Sequence, residues 1–230
     1  MPNKPELDNG FPALRPALDG LYATFDTSVE SEKQRSSCVD VRLPRPPGEV
    51  DFDSIMAKVR AFREVGQHKC ILPRVLELFA EEVDRSVDYA WNTMNAIGVR
   101  WRDWPHDEQA AIQVFMRAWW RSTLSTFPRR LDVLELLSIV GVMRIDVRPY
   151  LSYWASRRDV PAVRHLAWLV MDFTVHSAAN DRWYEMLDSW IDGIEPRRML
   201  EDSLSVGPDA EVALEFSAAR DVLRSWGESS

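Results

Sequence analysis

The chain has 230 residues, of which 46% are hydrophobic and 28% charged, and its formal net charge is −8. That length suits one large domain or two small ones with a substantial core, and the ordinary composition, with only nine glycines, argues against global disorder. The acidic balance weighs against nucleic-acid binding, because a phosphate backbone rewards a basic surface.

Two cysteines, Cys38 and Cys70, lie far apart and form no Cys-x-x-Cys spacing, so neither a disulfide framework nor a zinc cage is indicated. The stretch MPNKPELDNGFPALRP has no apolar run of the signal-peptide kind. No segment approaches the about 18 apolar residues of a membrane span. A cytoplasmic protein without membrane partners is expected.

The elements read as helices from end to end. A first helix is predicted over about Ala13 to Phe25, and a second over about Phe52 to Glu64. Between them, Thr27 to Val50 is polar and then proline-rich, with no helical period, and reads as an exposed loop at 27–50. LPRVLELFAEEVD (Leu72 to Asp84) places Pro73 in a first turn, where proline is tolerated, followed by apolar Val75, Leu76, Leu78 and Phe79. SVDYAWNTMNAIG runs from a capping Ser86 to a stop at Gly98.

WRDWPHDEQAAIQVFMRAWW, Trp101 to Trp120, holds a His-Asp-Glu triplet that invites a catalytic or metal reading. The H-E-x-x-H pattern fails, since Asp107 follows His106 and Ala110 stands at the second histidine position. The triplet is the start of a helix: Pro105 in the first turn, Asp103 or Trp104 as cap, and Asp107 with Glu108 at the positive end of the helix dipole. Ile112, Phe115, Met116, Trp119, Thr123 and Phe127 then fall on one face.

RLDVLELLSIVG follows, with Gly141 as its stop, and then a short helix from Pro149 to Ser156. DVPAVRHLAWLVMDFTVHSA is apolar nearly all round and is expected to sit centrally. NDRWYEMLDSWIDGI sets Trp183, Leu187, Trp190 and Ile194 on one side. EPRRMLEDSL and GPDAEVALEFSAARDVLRSWG complete the set, the last stopping at Gly227.

No alternating β-branched runs occur. The expected fold is therefore all-α: about ten to eleven helices in a compact antiparallel helical array, forming a single domain over 1–230. A HEAT-like helix-pair stack is the alternative. Leu151, Leu187 and Leu223 recur at intervals of 36 residues, as do Trp154, Trp190 and Trp226, but the flanking residues do not follow, and coincidence is the simpler explanation in a chain with ten tryptophans.

The segments LDGLYATF, CILPRVLELFAEEVD, WRDWPHDEQAAIQVFMRAWW and VRPYLSYWA occur in this order over roughly Leu18 to Val170. In this the chain resembles a family of uncharacterised bacterial all-helical proteins. The resemblance implies a helical fold and no activity. It also implies a Cys-x-x-Cys pair after the first helix, of which this chain has only Cys38 in RSSCVD.

Candidate sites are few. His165, Asp172 and His176 stand at i, i+7 and i+11 on one helical stripe, and Asp172 with His176, one turn apart, are the candidate metal ligands. A solvated stripe on an apolar helix is the simpler account. His68 and Cys70 precede the helix expected at Leu72, whose N-terminus would stabilise a thiolate, yet a small buried Cys is the plainer reading. The arginine doublets Arg129-Arg130, Arg157-Arg158 and Arg197-Arg198 fall at helix ends, where they serve the dipole or pair with the surplus carboxylates.

No phosphate loop, nucleophile elbow or dinucleotide fingerprint is present, and no catalytic residue and no cofactor is assigned. Ten tryptophans and abundant arginines are the residue types of binding hot spots. The expected function is a protein-protein interaction module without catalytic activity, with another protein as partner and Arg157, Arg158, Trp168, Arg197 and Arg198 as candidate contacts. The alternative is a metal-binding protein or enzyme using His165, Asp172 and His176 with residues from another helix. An exposed groove lined by Trp and Arg would favour the first.

Overall fold

The computed structural model describes residues 11–27, 65–80, 94–95, 101–172 and 181–227. Among these the chain is all-α, with nine helices and no strand. They are α1 (Phe11–Thr27), α2 (Val65–Ala80), α3 (His106–Leu124), α4 (Val133–Val142), α5 (Arg148–Ala155), α6 (Val160–Asp172), α7 (Arg182–Ile191), α8 (Ile194–Ser205) and α9 (Ala210–Gly227). The helix expected over about Phe52 to Glu64, nearly all of that at Ser86 to Gly98, and the 27–50 loop beyond Thr27 lie outside the described residues. No helix among the described residues is long and apolar enough to cross a membrane. The chain groups into two compact units, Met1–Trp119 and Trp120–Ser230.

In the first unit α1 packs against α2. Leu14, Leu18, Leu21 and Phe25 of α1 are buried, at helical spacing. The helix expected to open at Leu72 instead begins at Val65 and carries Pro73 in its interior. An interior proline removes one backbone hydrogen bond at a cost of about 3 kcal/mol. Burial of Leu72, Val75, Leu76, Leu78 and Phe79 around it exceeds that cost. Cys70 consequently lies within the helix, not ahead of it, and loses the N-terminal position that would have stabilised its thiolate.

Ahead of α3, Trp101–Asp103 form a 3₁₀ turn with Trp101 and Trp104 buried. The Gln109 side chain reaches back and donates to the carbonyls of Trp104 at 2.7 Å and Arg102 at 2.8 Å. Ile112, Phe115, Met116, Trp119 and Thr123 are buried as their spacing predicts, whereas Phe127 lies past the end of α3 and is half-buried.

In the second unit α6 makes its most extensive pairing with α9, and also meets α8 and α4. α7 meets α4, α5 and α8, and α8 meets α5 and α9. A helix-pair stack concentrates contact between neighbours in sequence; the α6–α9 pairing skips the two helices between them, as in a bundle. α4 starts with a capping box: Asp132 accepts from the Glu135 N–H while the Glu135 carboxylate accepts from the Asp132 N–H.

Gly141 is not the stop of α4. The helix runs on to Val142, and the left-handed residue after it is Arg144, at φ 55°. Gly141 is small for another reason: a Cβ there would lie 2.2 Å from Trp183 Cγ, so its absence lets α7 close on α4. Ile194, expected beside Trp183 and Trp190, opens α8 and is exposed.

Candidate functional site

His165 is the residue whose environment departs furthest from the solvated stripe. It is 3% exposed, on the inner side of α6. Its Nε2 lies 3.0 Å from the Thr123 carbonyl oxygen and 2.9 Å from that of Thr126. Two carbonyls can only accept, so Nε2 carries the hydrogen and donates to both. Its ring edge packs on Phe127 at 4.9 Å between centroids. Burial, the largest influence, holds its pKa below the ordinary histidine value, against the opposing pull of those carbonyls. The imidazole secures the C-terminal end of α3, adding a donor to the carbonyls of Thr123 and Thr126. It is a structural clasp, and its Nε2 is not open to a metal.

Asp172 is half-buried at the end of α6, and His176 lies outside the described residues. Among the described residues no three His, Cys, Asp or Glu side chains gather in a way that would hold a metal ion.

The arginines are largely occupied by local partners. Arg157 donates to Asp159 at 2.6 Å and to the Tyr153 hydroxyl at 3.2 Å. Arg158 donates to Asp202 at 2.8 Å and to the carbonyls of Ala155 and Arg157, both at 2.7 Å, which caps the end of α5. Arg198 is exposed and Arg197 half-buried on α8.

Trp168 is 55% exposed, on a face of α6 that also shows Val160 and Met171. The helix expected to sit centrally thus keeps one apolar face open. Trp101, Trp104, Trp119, Trp120 and Trp154 are buried, so five of the nine described indoles build the core.

A concave feature of the second unit lies between α5 and α7. It is an open groove of about 490 Å³ lined by Arg148, Leu151, Ser152, Arg182, Glu185, Met186, Ser189 and Trp190. Arg148 and Arg182 are the first residues of their helices, and Trp154 and Trp190 the last but one. Trp190 stacks on Trp154 at 5.1 Å between centroids and 25° between planes. Behind it Trp154 meets Trp120 edge-on at 5.5 Å, and its indole N–H donates to the Ala162 carbonyl at 2.9 Å. The two helices therefore run side by side in the same direction, with the arginines at one end and a tryptophan anchored in the core at the other.

Charge is unevenly matched along this groove. Arg148 is held by Asp146, its Nε and Nη2 both donating to the carboxylate, at 2.7 Å for the shortest bond. That bond, first among the causes, keeps the Asp146 carboxyl below its usual range, and the Arg182 charge adds to the effect. Arg182 itself is exposed and makes no ion pair among the described residues. Both helix dipoles also present their positive ends here.

None of the five arginine and tryptophan positions singled out from the sequence lines this groove. One signal did point to it. The 36-residue spacing of Trp154 and Trp190, and of Leu151 and Leu187, marks equivalent positions on two parallel helices that lie in contact. No protein-family model, no curated protein and no solved structure matches the chain.

Proposed function

We propose that the protein is a binding module for another protein, seated in the groove between α5 and α7, and that it performs no chemistry there. The observation that supports this reading is the combination of residues in one open concavity: Trp190 and Met186 as apolar surface over the buried Leu151, with Arg148 and Arg182 at one end. Tryptophan and arginine are the residues whose burial contributes most at protein interfaces. Trp190 is pre-ordered by its stack on Trp154, so little side-chain entropy is lost when a partner covers it. The groove contains no nucleophile with a base beside it, and Ser152 and Ser189 are its only hydroxyl side chains. A cytoplasmic location goes with this reading.

The test uses a photo-crosslinking side chain at position 189, on the groove wall, and another at position 168, on α6. A partner captured from position 189 in the source cell and then purified should bind the wild-type chain and lose that binding to Ser152→Trp, which fills the groove from an exposed position. A purified partner that binds Ser152→Trp as tightly as wild type overturns the proposal, as does capture from position 168 alone.

A further inference from the structure

The groove has a polarity that restricts what fills it, and this inference rests on the reading of the groove as a protein-binding site. Its apolar surface comes from Met186 and Trp190 over the buried Leu151, and its cationic end from Arg148 and Arg182. Asp146 already answers Arg148. Glu185 stands in the groove wall, one turn along α7 from Arg182, and forms no ion pair with it. Arg182 therefore lies within the field of Asp146 but makes no ion pair among the described residues, which leaves its planar fork of donors open to a bidentate partner. It stands at the first residue of a helix whose N-cap, Asp181, gives no side-chain hydrogen bond to the first turn.

We infer that the occupant is an acidic, apolar segment of the partner: a carboxylate side chain engaging Arg182, with a large apolar side chain a few residues away lying against Met186 and Trp190. Charge complementarity selects this class over the alternatives. A basic segment would place its cation beside Arg148 and Arg182, where Asp146 is taken up by Arg148 and Glu185 is the wall carboxylate left to answer it. A purely apolar segment would cover Arg182 without pairing it, and a buried unpaired guanidinium is costly. The direction is fixed as well, since the two ends of the groove differ in kind.

The experiment pans a random dodecapeptide display library against the full-length chain and counter-selects on Ser152→Trp, so that only groove-dependent binders are kept. The expected result is enrichment of Asp or Glu within about one helical turn of Leu, Phe or Trp. Synthesised with both ends blocked, the leading peptide should bind wild type and lose about tenfold in affinity to Arg182→Gln, the size of a single charge-assisted bond of about 1.4 kcal/mol. Replacing its acid by Asn or Gln should cost the same in wild type and nothing further in Arg182→Gln, and the salt dependence of binding should fall in that variant. Groove-dependent binders without acidic residues, or binders indifferent to Arg182→Gln, overturn this inference and leave the groove reading standing. A selection that yields no groove-dependent binder overturns both.

Discussion

The two units solve the problem of burying polar groups in opposite ways. In the first, charges are taken into the core. Glu108 is 1% exposed and pairs with Lys69 at 2.7 Å, and the Lys69 ammonium also sits over the Trp104 ring at 5.0 Å. Glu77, buried on α2, accepts from Arg74 and, at 2.6 Å, from the Tyr22 hydroxyl of α1. Burial and the neighbouring Glu77 push the Tyr22 phenol far above its ordinary pKa. In the second unit the centre is aromatic and uncharged: Trp120, Trp154 and Trp190 in a row, indole N–H groups donating to the Tyr150 and Ala162 carbonyls, and a neutral His165.

A buried ion pair is a poor net source of stability but a severe loss when half of it is removed. A packed aromatic core offers no such compensation, because what it supplies is shape and buried area. The two units therefore differ in whether a second substitution can repair the first.

The largest effects test that contrast directly. Lys69→Met strands the Glu108 carboxylate and should cost about 3–5 kcal/mol in chemical denaturation, while adding Glu108→Leu should recover most of it. Trp154→Ala should cost a similar amount, about 3–5 kcal/mol, through a cavity and a lost indole bond, with no single partner change that restores it. Recovery in the second case, or its failure in the first, would erase the distinction.

Next in size is the close approach of α4 and α7. Gly141→Ala drives a methyl into the root of the Trp183 side chain, which cannot swing away, and should cost about 3 kcal/mol. In a double-mutant cycle with Trp183→Ala the two losses should fall well short of additive. Full additivity would mean that Gly141 is there for its backbone alone.

A smaller, pH-dependent effect belongs to the second unit. His165 has a folded pKa below its unfolded value of about 6.5. The unfolded chain thus binds the proton more readily, so the contribution of His165 is present above about pH 6.5 and is lost as pH falls through the folded pKa. Denaturation midpoints should drop as pH falls below about 6.5 in wild type, and this part of the slope should vanish in His165→Gln. An unchanged slope would remove the clasp from the account. The smallest effect is at His106, exposed in the first turn of α3: His106→Ala should stay within about 0.5 kcal/mol of wild type.

What the sequence by itself determined is periodic and local. The all-α class, the buried face Ile112, Phe115, Met116 and Trp119, and the reading of His106-Asp107-Glu108 as a helix start all follow from spacing within one element. Even the Trp154–Trp190 stack left a trace in the 36-residue interval. Tertiary structure decided what depends on a neighbour from another part of the chain. It carried α2 through Pro73, because burial on all sides outweighed one missing hydrogen bond. It turned His165 inward to two carbonyls 39 and 42 residues away, and it gave Gly141 a packing role that only the position of Trp183 explains. It also joined Arg148, Arg182 and Trp190 in one groove, while the more conspicuous doublet Arg157 and Arg158 was committed to Asp159, Asp202 and the end of α5. Periodicity shows which side of a helix is buried; it carries no information on which helix will cover that side, and a groove exists only between two of them.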